Sequence, residues 1–109
     1  MKLGYIKLGK EKYPVCFSLS AIEKICDEFG SLDAMKDKVV SGDVKANIRV
    51  IEIMLDAGRA YCTAMELDCP PPLKCYVGDL IGPGDDIMDD VLDTMRSDSD
   101  REVETRGKN

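Results

Sequence analysis

Two short strands that run directly into a capped helix occupy the first 32 residues, and this arrangement constrains the fold more than any other feature of the sequence. Residues 2–8 and 12–18 are rich in strand-forming residues, and residues 9–11 contain the glycine of a tight connection. Residues 19–29 then carry apolar residues at i, i+3, i+4 and i+7, and Gly30 supplies a helix stop. The sequence therefore predicts an α+β fold in which an N-terminal β-hairpin packs on a mostly α-helical body of four to five helices.

The second strand has one clear apolar face, because Tyr13, Val15 and Phe17 share the period-two positions. Pro14 cannot donate to a ladder, so one side of this strand is unpaired near its start. A lone hairpin is only marginally stable in water. We therefore expect one face of the hairpin to rest on the helices or on a strand of another subunit, and we predict Tyr13, Val15 and Phe17 as partner-binding residues.

The start of the first helix has two interpretations. Ser20 with Glu23 makes a capping box. Ser18 as the cap instead places Phe17 against Ile22 as a hydrophobic staple. In either case the strand ends and the helix begins within two residues.

The longest helix is predicted over about 44–67, after a shorter helix that Ser31 begins and Gly42 ends. Its apolar stripe follows a four-three spacing along Val44, Ile48, Ile51, Leu55, Gly58, Cys62 and Met65. A second set widens this face: Val50, Ile53, Met54, Ala57, Tyr61 and Ala64. A helix that is apolar over so much of its circumference must be buried on more than one side. Gly58 costs about 1 kcal/mol of helix propensity, which predicts that another backbone or a bulky side chain passes close to it.

Breakers at residues 70–72 and 82–84 precede a last helix with Asp85 and Asp86 at its amino end. Its apolar face is the second group of predicted partner-binding residues, namely Ile87, Met88, Val91, Leu92 and Met95. One interpretation is a terminal amphipathic helix docked on its own core, and the other is a hinged segment whose methionine-rich face engages a helical partner. We expect a single domain over residues 1–96 and a disordered polar tail over 97–109.

The residues that usually carry catalysis are missing from the sequence. The chain contains no histidine, the commonest general base and metal ligand. Its five cysteines are odd in number and form no C-x-x-C pair, so ordinary buried thiols are expected rather than a disulfide framework or a metal site. The glycines at 78–84 lack the Lys-Ser/Thr of a phosphate loop. We expect no catalytic residues, no cofactor and no metal, and the chain is not predicted to be an enzyme.

The negative charge of the chain favours protein partners over nucleic acid. The net charge is −6, and residues 79–100 hold eight aspartates against one arginine, Arg96. Such a surface repels a phosphate backbone, so nucleic-acid binding is not expected. No apolar run approaches the roughly 18 residues of a membrane span, and the first residues lack the apolar core of a signal peptide. We therefore expect a cytoplasmic protein that does not associate with membranes.

The order of these elements resembles the amino-terminal part of tail assembly chaperones of long-tailed phages and prophages of Gram-positive bacteria. The resemblance begins with a hairpin of the form Lys-Leu-Gly…Tyr-Pro-Val…Phe-Ser and continues with a helix that ends at Phe29-Gly30-Ser31-Leu32. A long helix with an apolar face and an Ala57-Gly58 pair follows. The resemblance covers about residues 1–65, with a looser match through the acidic last helix, and it depends on order and spacing rather than on a diagnostic motif.

The resemblance implies a non-catalytic function. Such chaperones bind the long, helical, aggregation-prone tape measure protein and keep it soluble in the host cytoplasm while the tail tube assembles, and they are absent from the finished tail. The tape measure protein is therefore the expected partner, and the tail tube protein is a further candidate. Self-association is also expected, because coating a long rod requires many copies. The alternative is an acidic regulatory or adaptor domain of the host that binds one protein through its C-terminal amphipathic helix.

Overall fold

A computed structural model describes residues 3–96 of the 109-residue chain. Strands β1 (Leu3–Leu8) and β2 (Glu11–Cys16) form an antiparallel hairpin, followed by helices α1 (Leu19–Phe29), α2 (Leu32–Val40) and α3 (Val44–Ala64). A 3-10 turn over Val77–Leu80 precedes helix α4, which spans residues 87–96. The fold is α+β with an N-terminal hairpin on a helical body, which confirms the predicted class. The predicted disordered tail over 97–109 lies outside the described residues.

The hairpin closes through a two-residue loop whose first residue, Gly9, has a φ of 66°. Glycine at this position is typical of the type II′ turns that match strand twist. The register pairs Leu8 with Glu11 next to the loop and Tyr5 with Pro14 three pairs further on. Because hydrogen-bonded and non-hydrogen-bonded pairs alternate in an antiparallel ladder, Pro14 falls at a pair that exchanges no ladder bonds. The missing N–H of Pro14 therefore leaves the pairing with β1 intact.

Side-chain caps begin the first three helices. The backbone N–H of Ala21 donates to Ser18 Oγ at 3.2 Å, so Ser18 and not Ser20 is the cap of α1. Ser31 and Asp43 accept in the same way at the starts of α2 and α3, each at 3.0 Å. These caps satisfy backbone donors that a helix leaves unpaired at its amino end, so the helix boundaries follow from local sequence.

Helix α3 is the central element of the core. It packs against β2, α1, α2 and the 3-10 turn, which confirms that it is buried on more than one side. Its buried residues are Ala46, Val50, Ile51, Ile53, Met54, Gly58 and Cys62. Val44 and Met65 are exposed, so their predicted place in the buried stripe is wrong. They lie in the first turn of α3 and at its C-cap, where the covering elements no longer reach.

Two glycines allow backbone elements to approach more closely than any side chain would permit. A Cβ atom on Gly58 would fall on the carbonyl group of Pro14 and lie 2.8 Å from the backbone nitrogen of Val15. Helix α3 therefore lies directly beside the β2 backbone, which confirms the close neighbour predicted at Gly58. A Cβ atom on Gly4 would fall on the Thr94 hydroxyl group, so α4 lies directly against β1.

Helix α4 is docked on the core of its own chain. Ile87, Val91 and Met95 are buried members of a hydrophobic cluster that also contains buried residues of the hairpin and of α3, such as Val15 and Met54. The buried Thr94 hydroxyl donates to the carbonyl oxygen of Asp90 at 3.1 Å, so its polar atom is satisfied. Of the two interpretations of this helix, the docked one describes the structure. Among residues 3–96, no helix is both long and apolar enough to cross a membrane.

The end of α3 predicts a stabilising substitution. Glu66 follows the C-cap with a φ of 57°, and the N–H of Leu67 donates to the Cys62 carbonyl at 2.8 Å in a Schellman arrangement. A left-handed conformation is unfavourable for a residue with a Cβ atom, so Glu66→Gly should raise the free energy of unfolding by about 1 kcal/mol. Urea denaturation measures this change. Glu66→Ala removes the same charge but keeps the Cβ atom, and an equal gain from both variants would contradict the explanation.

Candidate partner interface

The eight residues predicted from sequence to bind a partner lie in or against the hydrophobic core. They are Tyr13, Val15, Phe17, Ile87, Met88, Val91, Leu92 and Met95. Val15, Ile87, Val91 and Met95 are buried, and the other four are partly buried and pack against the same cluster. The structure therefore brings the two predicted groups into one core. A partner would reach the buried members of α4 only after this helix had left the core, and their role in partner binding stays a prediction.

An open apolar groove lies between the first half of α3 and the segment that leads into α4. It encloses about 380 Å³. We call it the α3–α4 groove and define it by six apolar lining residues, Val39, Val44, Ile48, Ile51, Ile81 and Met88. Val39 and Ile51 are buried in its floor, whereas Val44 at the rim exposes 70% of its surface. The groove therefore presents apolar surface that the chain itself leaves uncovered.

Two tight turns shape the walls of this groove. Gly42, with a φ of 85°, reverses the chain between α2 and α3 and so brings Val39 and Val44 to the same side of the groove. On the opposite wall, the N–H of Gly82 donates to the Asp85 carboxylate at 2.8 Å, and the N–H of Asp85 donates to the Gly82 carbonyl at 3.1 Å. This closed turn fixes the path from the 3-10 turn into α4. Local turn chemistry thus holds both walls in place.

The groove was missed by sequence reasoning, although one signal of it was available. Val39 and Val40 are neighbours on α2, and adjacent helical residues point about 100° apart. One of them must therefore face away from the core, and Val40 is 82% exposed. Together with the exposed Val44, this places more apolar surface at the junction of α2 and α3 than the core covers.

One rim of the groove is acidic. Residues 79–93 contain six aspartates, all in the described part of the chain. Among the described residues, Asp93 is the one of these six that forms an ion pair, at 2.9 Å from Arg96. Asp85 lines the groove itself, and Asp89 lies four residues further along the chain, next to Met88. No lysine or arginine is among the groove-lining residues described. The groove lining therefore carries the negative charge of Asp85 and no positive side chain, while Lys7 lies in a separate cleft with Asp85 and Asp86.

A second cleft, of about 240 Å³, lies between α3 and the proline segment. Arg59 donates to the carbonyl oxygen of Pro70 at 2.7 Å and thereby ties this segment to α3. Burial raises the pKa of the nearby Cys62 thiol, and the adjacent Cys69 thiol raises it further. Cys62 is therefore protonated at neutral pH and is a weak nucleophile. Within residues 3–96, no group of three or more Cys, Asp or Glu side chains is arranged to hold a metal ion.

The ion pair between α1 and α3 predicts a pH-dependent contribution to stability. The Arg49 guanidinium donates two hydrogen bonds to the Glu28 carboxylate, at 2.6 and 2.7 Å. These bonds lower the pKa of Glu28 below its ordinary value of 4.5. Because both side chains are about 40% exposed, a double-mutant cycle with Glu28→Gln and Arg49→Gln should give a coupling energy of only about 0.5–1 kcal/mol at neutral pH.

The sign of this pH effect follows from the direction of the shift. A carboxylate whose pKa is lowered in the folded state contributes its full stability above the unfolded-state pKa and loses it as pH falls through the folded-state pKa. We therefore expect the coupling energy from urea denaturation to vanish in acid. Glu23→Gln on the exposed face of α1 serves as the control, since no ion pair of Glu23 is described. A coupling energy that persists in acid would contradict this account.

The described surface therefore has two features by which proteins recognise partners, an uncovered apolar groove and an acidic rim beside it. Among the apolar residues that line the groove, Val44 is the most exposed, and the exposed Asp89 of α4 has no ion pair among the described residues. Such a surface is typical of a site that takes up part of another molecule by apolar and charge contacts. Comparisons of the chain with protein-family models, with curated proteins and with solved structures found no match.

Proposed function

We propose that this chain is a non-catalytic tail assembly chaperone that binds a phage tape measure protein and keeps it soluble in the host cytoplasm, without entering the finished virion. The observation that carries the proposal is the continuous order of hairpin, capped helix, glycine stop and second cap over residues 3–34. Ser18 caps α1, Gly30 ends it with a φ of 94°, and Ser31 caps α2. This is the order on which the resemblance to tail assembly chaperones depends.

The physical properties of the surface support the same proposal. A chaperone for an apolar helix requires exposed apolar surface that exchanges its partner, together with net charge that keeps the complex soluble. The α3–α4 groove supplies the first property, and the net charge of −6 supplies the second.

The alternative of a host adaptor domain has less support from the structure. That function requires the apolar face of α4 to be available to a partner. Val91 and Met95 of this face are instead buried in the core of the chain. An adaptor that used α4 would have to remove this helix from its own domain before binding.

Co-expression with the candidate tape measure protein tests the proposal. That protein would be encoded by a very long, helix-rich reading frame immediately downstream of this gene, with a tail tube gene upstream. We expect the tape measure protein to move from the insoluble to the soluble fraction and to co-purify with this chain. An unrelated acidic protein of similar size and net charge is the matched control. A tape measure protein that is equally insoluble with this chain and without it would overturn the proposal.

A further inference from the structure

We propose that the α3–α4 groove is the docking site for an amphipathic helix whose apolar stripe is flanked by lysine or arginine residues. The inference deepens the chaperone proposal and rests on it for the identity of the protein that supplies the helix. The shape and charge of the described surface indicate where the partner binds and which chemistry the bound segment has.

The apolar lining of the groove suits the apolar face of a helix. A helix that binds in a groove inserts side chains from positions such as i, i+3, i+4 and i+7. The volume of about 380 Å³ gives room for several aliphatic side chains of this kind. Met88 forms part of one wall, and methionine adapts its shape to different apolar partners. A stripe of leucine, isoleucine or valine would therefore fill the groove and cover Val44.

The acidic rim beside α4 suits a partner with positive charge. Asp85 lines the groove just before α4 begins, and Asp89 is an exposed residue in the first turn of α4, next to Met88. Neither aspartate takes part in an ion pair within the described residues. Positive side chains beside the apolar stripe of the partner would complement this rim, and they would fix the orientation of the helix in the groove.

Two other occupants fit the groove less well. Residues 97–109 of the same chain contain Val103 as their only aliphatic residue, so they cannot supply an apolar stripe. A second copy of the chain would bring a net charge of −6 to the acidic rim, where like charges repel. A basic amphipathic helix from another protein satisfies both the apolar lining and the rim.

The test uses a fluorescein-labelled 18-residue peptide of leucine and lysine, with leucine at helical i, i+3, i+4 and i+7 spacing. Fluorescence anisotropy measures the Kd of this peptide for the full chain. A scrambled peptide of the same composition has no apolar stripe, and a peptide with glutamate in place of lysine has the opposite charge. We expect the amphipathic lysine peptide to bind at least tenfold more tightly than either control peptide.

Two matched pairs of variants locate the site. Val44→Gln should weaken binding about tenfold, since burial of one valine contributes on that order. Leu19→Gln should leave binding unchanged, because Leu19 is likewise a highly exposed apolar residue at the first position of a helix.

Asp89→Lys should weaken binding about tenfold. Asp90→Lys makes the same change in charge about 100° further around α4, at a residue that lines a different cleft, and should have a much smaller effect.

The outcomes separate the groove from the chaperone proposal. The Val44→Gln and Asp89→Lys variants should show unchanged circular dichroism. If they bind the peptide as tightly as the wild-type chain does, the assignment of the groove as the docking site is overturned. A monomer–dimer equilibrium that Val44→Gln abolishes also overturns it, since a second copy would then be the occupant. If the Val44→Gln variant still solubilises the tape measure protein as well as the wild-type chain does, the groove is not the docking site and the chaperone proposal stands. If the wild-type chain binds the peptide but does not solubilise the tape measure protein, the chaperone proposal fails.

Discussion

Replacing Gly58 with alanine is expected to destabilise the protein by about 2–4 kcal/mol. In an exposed helix the same substitution stabilises by about 1 kcal/mol, because alanine has the higher helix propensity. Here the new Cβ atom would fall on the carbonyl group of Pro14. Backbone atoms of a paired strand cannot rotate away as a flexible side chain can, so either α3 or the hairpin must shift. Because α3 packs closely on β2, replacing glycine with alanine here lowers the free energy of unfolding, whereas in an exposed helix it raises it.

Ala60→Gly is the matched control for this measurement. Ala60 is exposed and lies two residues further along the same helix, so its replacement reports helix propensity alone. Urea denaturation should give a loss of about 1 kcal/mol for Ala60→Gly and a larger loss for Gly58→Ala. If Gly58→Ala were neutral or stabilising, α3 would not contact the β2 backbone as described.

The second large effect is expected at Gly4. Gly4→Ala should lower the free energy of unfolding by about 1–3 kcal/mol, because its Cβ atom would fall on the hydroxyl group of Thr94. Glycine in a strand normally weakens the strand, so alanine at an uncontacted strand position would be neutral or stabilising. The expected loss therefore reports the contact between β1 and α4.

A compensating substitution separates this contact from a general effect on the strand. Thr94→Ala removes the hydroxyl and methyl groups that the new Cβ atom would meet. In the Thr94→Ala background, Gly4→Ala should therefore destabilise by less than about 1 kcal/mol. The same loss in both backgrounds, measured by urea denaturation, would show that α4 does not lie against Gly4.

Local features of the sequence predicted much of the fold. The glycine in the hairpin loop and the cap Ser31 act on residues close to them in the chain, so their effects can be predicted without knowledge of tertiary contacts. Gly58 is an instructive exception. A glycine inside a strongly apolar helix signals a close neighbour, and the sequence indicated this contact without identifying Pro14 as its source.

Features that depend on contacts between distant segments were not predictable in the same way. The glycine-proline breakers before α4 are equally compatible with a docked and with a hinged helix, and only the packing of Val91 and Met95 decides between them. The α3–α4 groove forms where residues 78–88 pass over α3, a placement that no local pattern encodes. For the same reason the periodic stripe wrongly placed Val44 in the core, since periodicity does not indicate where the covering elements end.

The central claim is that a partner helix binds the α3–α4 groove while α4 stays docked on the core. Hydrogen–deuterium exchange of the full chain, with and without the amphipathic lysine peptide, tests this claim most directly. The account predicts slower exchange of backbone amides in residues 44–51 and 78–88 on peptide binding, with unchanged exchange in residues 91–96. Faster exchange in residues 91–96 would show that α4 leaves the core to bind the partner, and it would contradict the account.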